Sequence, residues 1–266
     1  MNFVLSNKGK EFESKFHFEF FNSGRSVYEV IRIIDGIPLF CEAHYQRLLK
    51  SVEIAKLPLE MPYTAFRRNI FSLVSLNAKT EGNIKFVFAV AGNESGWAFQ
   101  FIPHSYPAAS EYLNGVATGL LLAQRENPNA KILQKGIRDQ ANQLIDEQKL
   151  FEVLLVDAEG RITEGSRSNV FFVKDGIFYT AHESLILVGI TRQKVVECLN
   201  KLGCRIVEKA VQANEIEIYD SVFLTGTSPK VLPIRSIGNR LYGVQNHSVQ
   251  ELMISYDQLI QAYIRK

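Results

Sequence analysis

Gly160-Arg-Ile-Thr-Glu-Gly-Ser-Arg-Ser-Asn-Val-Phe-Phe172 is the stretch on which the reading of this chain turns. Two apolar runs frame it, Val153–Val156 and Val170–Val173, and each reads as a short strand with β-branched or aromatic filling. Between Thr163 and Val170 lie one acid, two serines, an arginine and an asparagine. A plain hairpin turns in two to five residues. This connection is longer and its polar residues are small, which suits the wall of a site; the bland alternative is an ordinary exposed loop.

The bulk numbers limit what such a site can be. With 266 residues, 46% of them hydrophobic, the chain can fill two modest domains or one large one. It has no apolar run of membrane-spanning length, and the apolar part of Met1–Lys10 is too short for a secretory signal. Thirty bases against 28 acids leave a net charge of +2, and no segment concentrates positive charge as a nucleic-acid groove does. Cys41, Cys198 and Cys204 are spaced for neither zinc nor a disulfide framework. They read as thiols in a reducing cytosol, so the expected localisation is cytoplasmic.

Working outward to the N-terminus, residues 1–20 show no clear period. Val27–Ile34 and Ile37–Phe40 are strands about the turn Asp35-Gly36, a strong hairpin signal. Glu42–Ala55 and Tyr63–Leu76 repeat apolar residues at helical spacing, and Asn83–Ala91 and Gly96–Ile102 are two more strands. Pro103–Asn114 lacks periodicity and holds the expected boundary between a small α+β domain over 1–108 and a larger domain over 109–266. The second half starts with the strand Val116–Ala123, followed by a polar loop, Gln124–Ala130. A helix is expected over Leu133–Lys149, then the two strands about the opening stretch and a short one at Phe178. Gly189 begins a helix that Gly203 ends. Arg205–Val211 is a strand, Ala213–Tyr219 a short helix, and Val222–Thr225 and Val231–Ile237 are strands before a terminal helix, Val249–Ile264.

Three places have the chemistry of anion sites. Gly189-Ile190-Thr191-Arg192 opens a helix, where unpaired N–H groups and the dipole attract phosphate. Gly226-Thr227-Ser228 follows a strand end and offers hydroxyls and amides. Arg47, in His44-Tyr-Gln-Arg47-Leu, can clamp a phosphate with two donors. Their plain readings are an N-cap, a turn and a solvated helix residue. With no glycine-rich P-loop and no Gly-x-Gly-x-x-Gly, a nucleotide is not the obvious ligand.

Taken together these motifs resemble a known family, the class IV (fold-type IV) pyridoxal-phosphate aminotransferases. That family includes branched-chain and D-amino-acid aminotransferases and aminodeoxychorismate lyase. The resemblance runs through Gly24-Arg-Ser-Val-Tyr28-Glu-Val-Ile-Arg32 with Asp35-Gly36, then His44-x-x-Arg47-Leu and Ser51. It continues through Thr163-Glu164-Gly165-Ser166-x-Ser168-Asn169-Val170-Phe171, Leu187-x-Gly189-Ile190-Thr191-Arg192, and Phe223-Leu-Thr-Gly226-Thr227. It implies a two-domain α+β fold, with a small N-terminal α/β layer domain and a larger C-terminal barrel-like α/β domain. It also implies pyridoxal 5'-phosphate as cofactor, an amino acid and a 2-oxo acid as substrates, and a homodimer.

The resemblance assigns the residues as follows. Glu164 keeps the pyridine nitrogen protonated. Arg47, the amides of Ile190 and Thr191 and the Thr227 hydroxyl hold the phosphate. Ser166 and Ser168 line the pocket, Asn169 ties the loop down, and Tyr28 and Ser228 face the substrate. The lysine that carries the cofactor has two candidates. Lys131 stands thirty-three residues before Glu164, the family's spacing, and Lys135 twenty-nine. Lys131 is therefore the expected catalytic lysine.

Some departures bear on the substrate. Relatives carry Asn three or four residues after the lysine, where this chain has Gln134 and Lys135; Arg138 can take part of that role or be a surface residue. The strand Phe86–Gly92 ends Val90-Ala91-Gly92, without the arginine that anchors a substrate carboxylate in relatives; Arg25 is another carboxylate candidate. The small domain also reads as lacking about two strands' worth of chain before Gly24. Transamination leads, 4-amino-4-deoxychorismate lyase chemistry is the alternative, and a catalytically weak binding protein on the same scaffold is the third reading.

Overall fold

In the ten-residue strand that carries Tyr28 and Glu29, alternate residues belong to different cores. Val27, Ile31 and Ile33 are fully buried in one cluster, and Tyr28 belongs to a second. This is the period-two alternation of a sheet covered on both faces. The computed structural model describes residues 2–132 and 135–265. Leu133, the expected helix start, Gln134 and the Lys135 side chain lie outside the described residues.

Contacts divide the chain into two units. The first comprises Met1–Ser105, Ala130–Leu133 and Ile260–Lys266; the second comprises Tyr106–Asn129 and Gln134–Leu259. In chain order the first unit contains β1 (Phe3–Ser6), β2 (Gly9–Phe12), α1 (Glu19–Ser23), β3 (Arg25–Ile34), β4 (Ile37–Pro38), α2 (Cys41–Ile54), α3 (Tyr63–Asn77), β5 (Gly82–Ala91) and β6 (Glu94–Ile102). Its sheet has the order β2-β1-β6-β5-β3-β4 with antiparallel neighbours. Helices α2 and α3 cover one face, setting Leu48, Phe66, Ile70 and Leu73 against Phe86 and Phe99. Each such fully buried side chain contributes roughly 1.5–3 kcal/mol. Asp35 and Gly36 both have positive φ, 52° and 77°, the mirror-image turn that a two-residue hairpin needs, and Ile34 pairs with Ile37 across it.

The chain before Gly24 is not short of strands: β1 and β2 form a hairpin, Ser6 opposite Gly9, and β1 pairs with β6. All four residues of β2 are exposed, so no alternation marks them in the sequence. The expected strand to Phe40 stops at Pro38, because Phe40 turns left-handed, with φ 52°, to begin α2. That helix has no side-chain N-cap. The Cys41 amide instead donates to the Tyr263 hydroxyl (3.1 Å), which itself donates to Glu42 Oε2 (2.6 Å). The last turn of the chain thus caps a helix more than 200 residues earlier. Burial raises the Cys41 thiol to about 12, where it is unreactive.

The second unit contains α4 (Ala109–Asn114), β7 (Val116–Leu122), α5 (Lys135–Gln148), β8 (Glu152–Val156), β9 (Arg161–Gly165), β10 (Asn169–Lys174), β11 (Ile177–Thr180), α6 (Ile190–Lys201), β12 (Ile206–Glu208), β13 (Val211–Gln212), β14 (Ser221–Gly226), β15 (Lys230–Ile237), β16 (Arg240–Leu241) and α7 (His247–Ile264). The last residues of α7 belong to the first unit. Helix α4 lies in a segment expected to be irregular, and the expected helix over Ala213–Tyr219 is one 3-10 turn, Ile216–Ile218. The sheet is mixed, in the order β12-β11-β10-β14-β15-β7-β8-β9-β13, with β16 beside β15. β15, β7 and β8 run parallel. β9 and β10 are consecutive in sequence yet not neighbours in the sheet: β9 pairs with β8 and β13, β10 with β11 and β14. The opening stretch is therefore a crossing between two parts of one sheet, not a hairpin.

Among the described residues, no helix is long and apolar enough to cross a membrane, and no cluster of His, Cys, Asp and Glu is arranged to hold a metal. The fold is α+β, with a small antiparallel layer domain and a larger mixed-sheet domain.

Candidate active site

In the second unit the crossing from β9 to β10 is fixed by two buried carboxylates. Glu152, at the start of β8, accepts from Ser166 Oγ (2.6 Å), Ser168 Oγ (2.9 Å) and the amides of Arg167 (3.1 Å) and Val153 (3.0 Å). Both serines expected to line the pocket thus donate their hydroxyls to this one carboxylate. Gly165 is required here, since a Cβ would sit 2.1 Å from Ser168 Oγ.

Glu164, 3% exposed on β9, accepts from Arg125 Nε (2.9 Å) and more distantly from the Leu187 amide, 3.3 Å to each oxygen. Arg125 Nη2 donates to the Ser166 carbonyl (2.8 Å). Arg125 was not singled out in the sequence. It stands in a polar run, Gln124-Arg-Glu-Asn, whose composition says only loop.

Asn169 connects this loop to α6. Its amide donates to the Leu187 carbonyl (2.9 Å) and its oxygen accepts from the Gly189 amide (3.1 Å). A Cβ at Gly189 would meet that oxygen at 2.3 Å. Helix α6 has no side-chain cap at Gly189, and Ile190 and Thr191 are buried in its first turn. Arg192 is turned elsewhere, donating to the Ala181 carbonyl (3.1 Å) and Glu208 (3.0 Å). Thr225 lies directly opposite Asn169 on β14, hence on the same face of the sheet. It is 1% exposed, and its hydroxyl has no hydrogen-bond partner among the described residues. Gly226, Thr227 and Ser228 follow it, half-buried.

In the first unit, the segment bearing Lys131 is held by its main chain. The Lys131 amide donates to Ser51 Oγ (3.1 Å), its carbonyl accepts from the Tyr28 amide (3.1 Å), and Ile132 bridges to Val27. Lys131 Nζ lies 4.8 Å from the centre of the Tyr28 ring. Arg47 is no solvated helix residue: its side chain is 9% exposed and grips Glu29, Nε to Oε1 (2.8 Å) and Nη2 to Oε2 (2.6 Å). His44 Nδ1 completes the group, 2.8 Å from Glu29 Oε2. Burial raises the Glu29 pKa, but Arg47 and His44 overcome this and hold it at about 2. Burial pushes His44 below its ordinary value, Glu29 opposes that, and Arg47 and Lys131 reinforce it. Arg25 is exposed and donates to the Ala55 carbonyl.

The two-sheet fold, with a buried acid on the signature crossing and a lysine pinned by its main chain, defines a group-transfer enzyme class that comparison makes specific. The family model "Amino-transferase class IV" matches residues 26–237. D-alanine aminotransferase of Bacillus licheniformis is 31% identical over 232 residues, covering 83% of this chain and 81% of the relative. A branched-chain aminotransferase structure from Thermoproteus uzoniensis, solved with norvaline, superposes with a TM-score of 0.85 at 23% identity, covering 97% of this chain and 94% of that one. A Legionella pneumophila structure, named provisionally as a 4-amino-4-deoxychorismate lyase, superposes with a TM-score of 0.80 at 21% identity, covering 88% and 91%. At such identities the two structures bear on the fold alone. This chain belongs to the class IV aminotransferase family, whose members depend on pyridoxal phosphate.

The residues present fit that cofactor. The uncapped first turn of α6 leaves amides that favour an anion, and the orphaned Thr225 hydroxyl on the same sheet face as Asn169 costs about 1–3 kcal/mol unless something bonds to it.

Proposed function

We propose that the chain is an aminotransferase that passes an amino group between a small amino acid and a 2-oxo acid, of branched-chain or D-amino-acid type, in ping-pong order with pyridoxal 5'-phosphate. The observation that carries this reading is Lys131: its main chain is hydrogen-bonded on both sides, so the nucleophilic amine stands on a fixed base. Kinship with D-alanine aminotransferase supports the substrate class.

When bound, the cofactor supplies a ring that withdraws electrons from the substrate's Cα. Lys131 would hold the cofactor, and its Nζ would take and return the proton of the substrate's Cα. The Glu164 carboxylate holds the proton on the ring nitrogen, and Arg125 holds Glu164. Arg47, the amides of Ile190 and Thr191 and the Thr227 hydroxyl take the phosphate. Ser168 keeps the crossing in shape through Glu152, and Tyr28 and Ser228 face the substrate. A homodimer follows from the family resemblance and is checked by sedimentation.

The test begins with the colour of the purified protein, expected to be yellow with a visible band that an amino donor bleaches. The oxo acid product is then assayed. Borohydride reduction and peptide mapping should label Lys131; a label on Lys135 refutes the lysine assignment. Pyruvate released from aminodeoxychorismate would select the lyase, whose fold the Legionella pneumophila structure shares. A colourless protein that takes up no added pyridoxal phosphate overturns both.

A further inference from the structure

Among the buried ionisable residues that the proposed mechanism leaves unused are Glu29, which grips the guanidinium assigned to the phosphate, and His44, which bonds Glu29. Glu29 is wholly buried and lies on β3 with Val27 and Ile31, facing α2. A carboxylate there is costly unless fully bonded. Glu29 meets the requirement with three donor atoms: Arg47 Nε on one oxygen, Arg47 Nη2 and His44 Nδ1 on the other. The Arg47 contact is side-on. It uses the edge of the guanidinium formed by Nε and one terminal nitrogen, so the edge formed by the two terminal nitrogens faces away from Glu29.

We infer that Glu29, seconded by His44, is a positioning residue for phosphate. It fixes the plane of Arg47 side-on and thereby directs the end-on edge, the one that matches two phosphate oxygens, to the cofactor. This rests on the reading of Arg47 as a phosphate ligand.

Two further observations agree with it. Glu29 stays ionised at any working pH because Arg47 and His44 outweigh its burial, so the clamp does not titrate away. Ser51, on the same helix as Arg47, bonds the Lys131 amide and also donates to the Arg47 carbonyl (2.9 Å). The clamp and the lysine thus share one support. A buried ion pair serving stability alone would satisfy the same distances, so the test must read phosphate and not the fold.

Apoenzyme is titrated with pyridoxal 5'-phosphate and separately with pyridoxal, which lacks the phosphate, following the visible band. The quantity is the ratio of the two dissociation constants. Arg47→Met should collapse the preference for the phosphorylated form. Glu29→Gln should lower it at least tenfold, with pyridoxal affinity within a factor of about three of the parent. His44→Asn should lower it about threefold, and Glu29→Asp should retain more of it than Glu29→Gln. If Glu29→Gln fails to fold, Glu29→Asp and His44→Asn carry the test. Weakening of both ligands in equal proportion in the Glu29 and His44 variants, with the preference for phosphate still collapsed in Arg47→Met, overturns the positioning role alone. An unchanged ratio in Arg47→Met overturns the reading beneath it.

Discussion

Glu29 and Glu164 are both buried glutamates gripped by an arginine, one in each unit, and they are bonded differently. Glu29 has a side-on arginine and a histidine, all at 2.6–2.8 Å. Glu164 accepts from Arg125 Nε at 2.9 Å, and the Leu187 amide lies 3.3 Å from each of its oxygens. Arg125 gives its Nη2 to the Ser166 carbonyl rather than to the acid. A carboxylate so closely bonded serves to hold its partners. Glu164, whose arginine gives it Nε and turns Nη2 to a carbonyl, is not held in that side-on grip. On the function proposed above, the same pairing of residue types serves as scaffold in one unit and as reagent in the other.

Four substitutions test this contrast. The largest effect is expected at Glu164: Glu164→Gln should keep the fold and the bound cofactor yet lower turnover by about 10²–10⁴, as removal of an acid–base partner does. Single-turnover kinetics and a melting curve check it, and full turnover would refute the role. At Glu29 the loss should appear in stability. Its pKa falls from 4.5 unfolded to about 2 folded, so it stabilises the protein above pH 4.5 and ceases to as pH falls towards 2. The shift corresponds to on the order of 3 kcal/mol. His44, whose folded value is depressed, acts in the same direction, its contribution being lost as pH falls below about 6.5. Denaturation midpoints at pH 7 and pH 3 should therefore converge in Glu29→Gln relative to the parent.

Arg125→Met should cost less, about tenfold in turnover, and should make the visible spectrum more pH-dependent if Arg125 holds Glu164; a spectrum and rate like the parent's would reduce it to a packing residue. The smallest effect belongs to Ser168→Ala, which removes one of four donors to Glu152. About 0.5–1.5 kcal/mol of stability and no more than a few-fold in rate are expected.

The legible part of the molecule was the part with period or punctuation. Asp35-Gly36, the apolar faces of α2 and α3, and Gly189 before α6 each state a local rule. Arg125 states none, because its meaning lies in Glu164, 39 residues on. The hairpin β1–β2 escaped because β2 is exposed throughout, and α4 because prolines precede it. Glu29 could have been found: Val27-Tyr28-Glu29-Val30-Ile31 places an acid at the parity of buried aliphatics, and such a residue requires a buried cation. His44-x-x-Arg47 on the next helix supplies one.

The dispersed make-up of the first unit has a consequence for synthesis. On a ribosome that adds about 5–20 residues per second, Tyr28 and Ser51, which bond the Lys131 main chain, emerge before Lys131 does. Tyr263, which donates to Glu42 and accepts from the Cys41 amide, follows them by roughly 10–45 s. A nascent chain can therefore build the seat for Lys131 early, but it must hold the start of α2 without this cap until Tyr263 has been added.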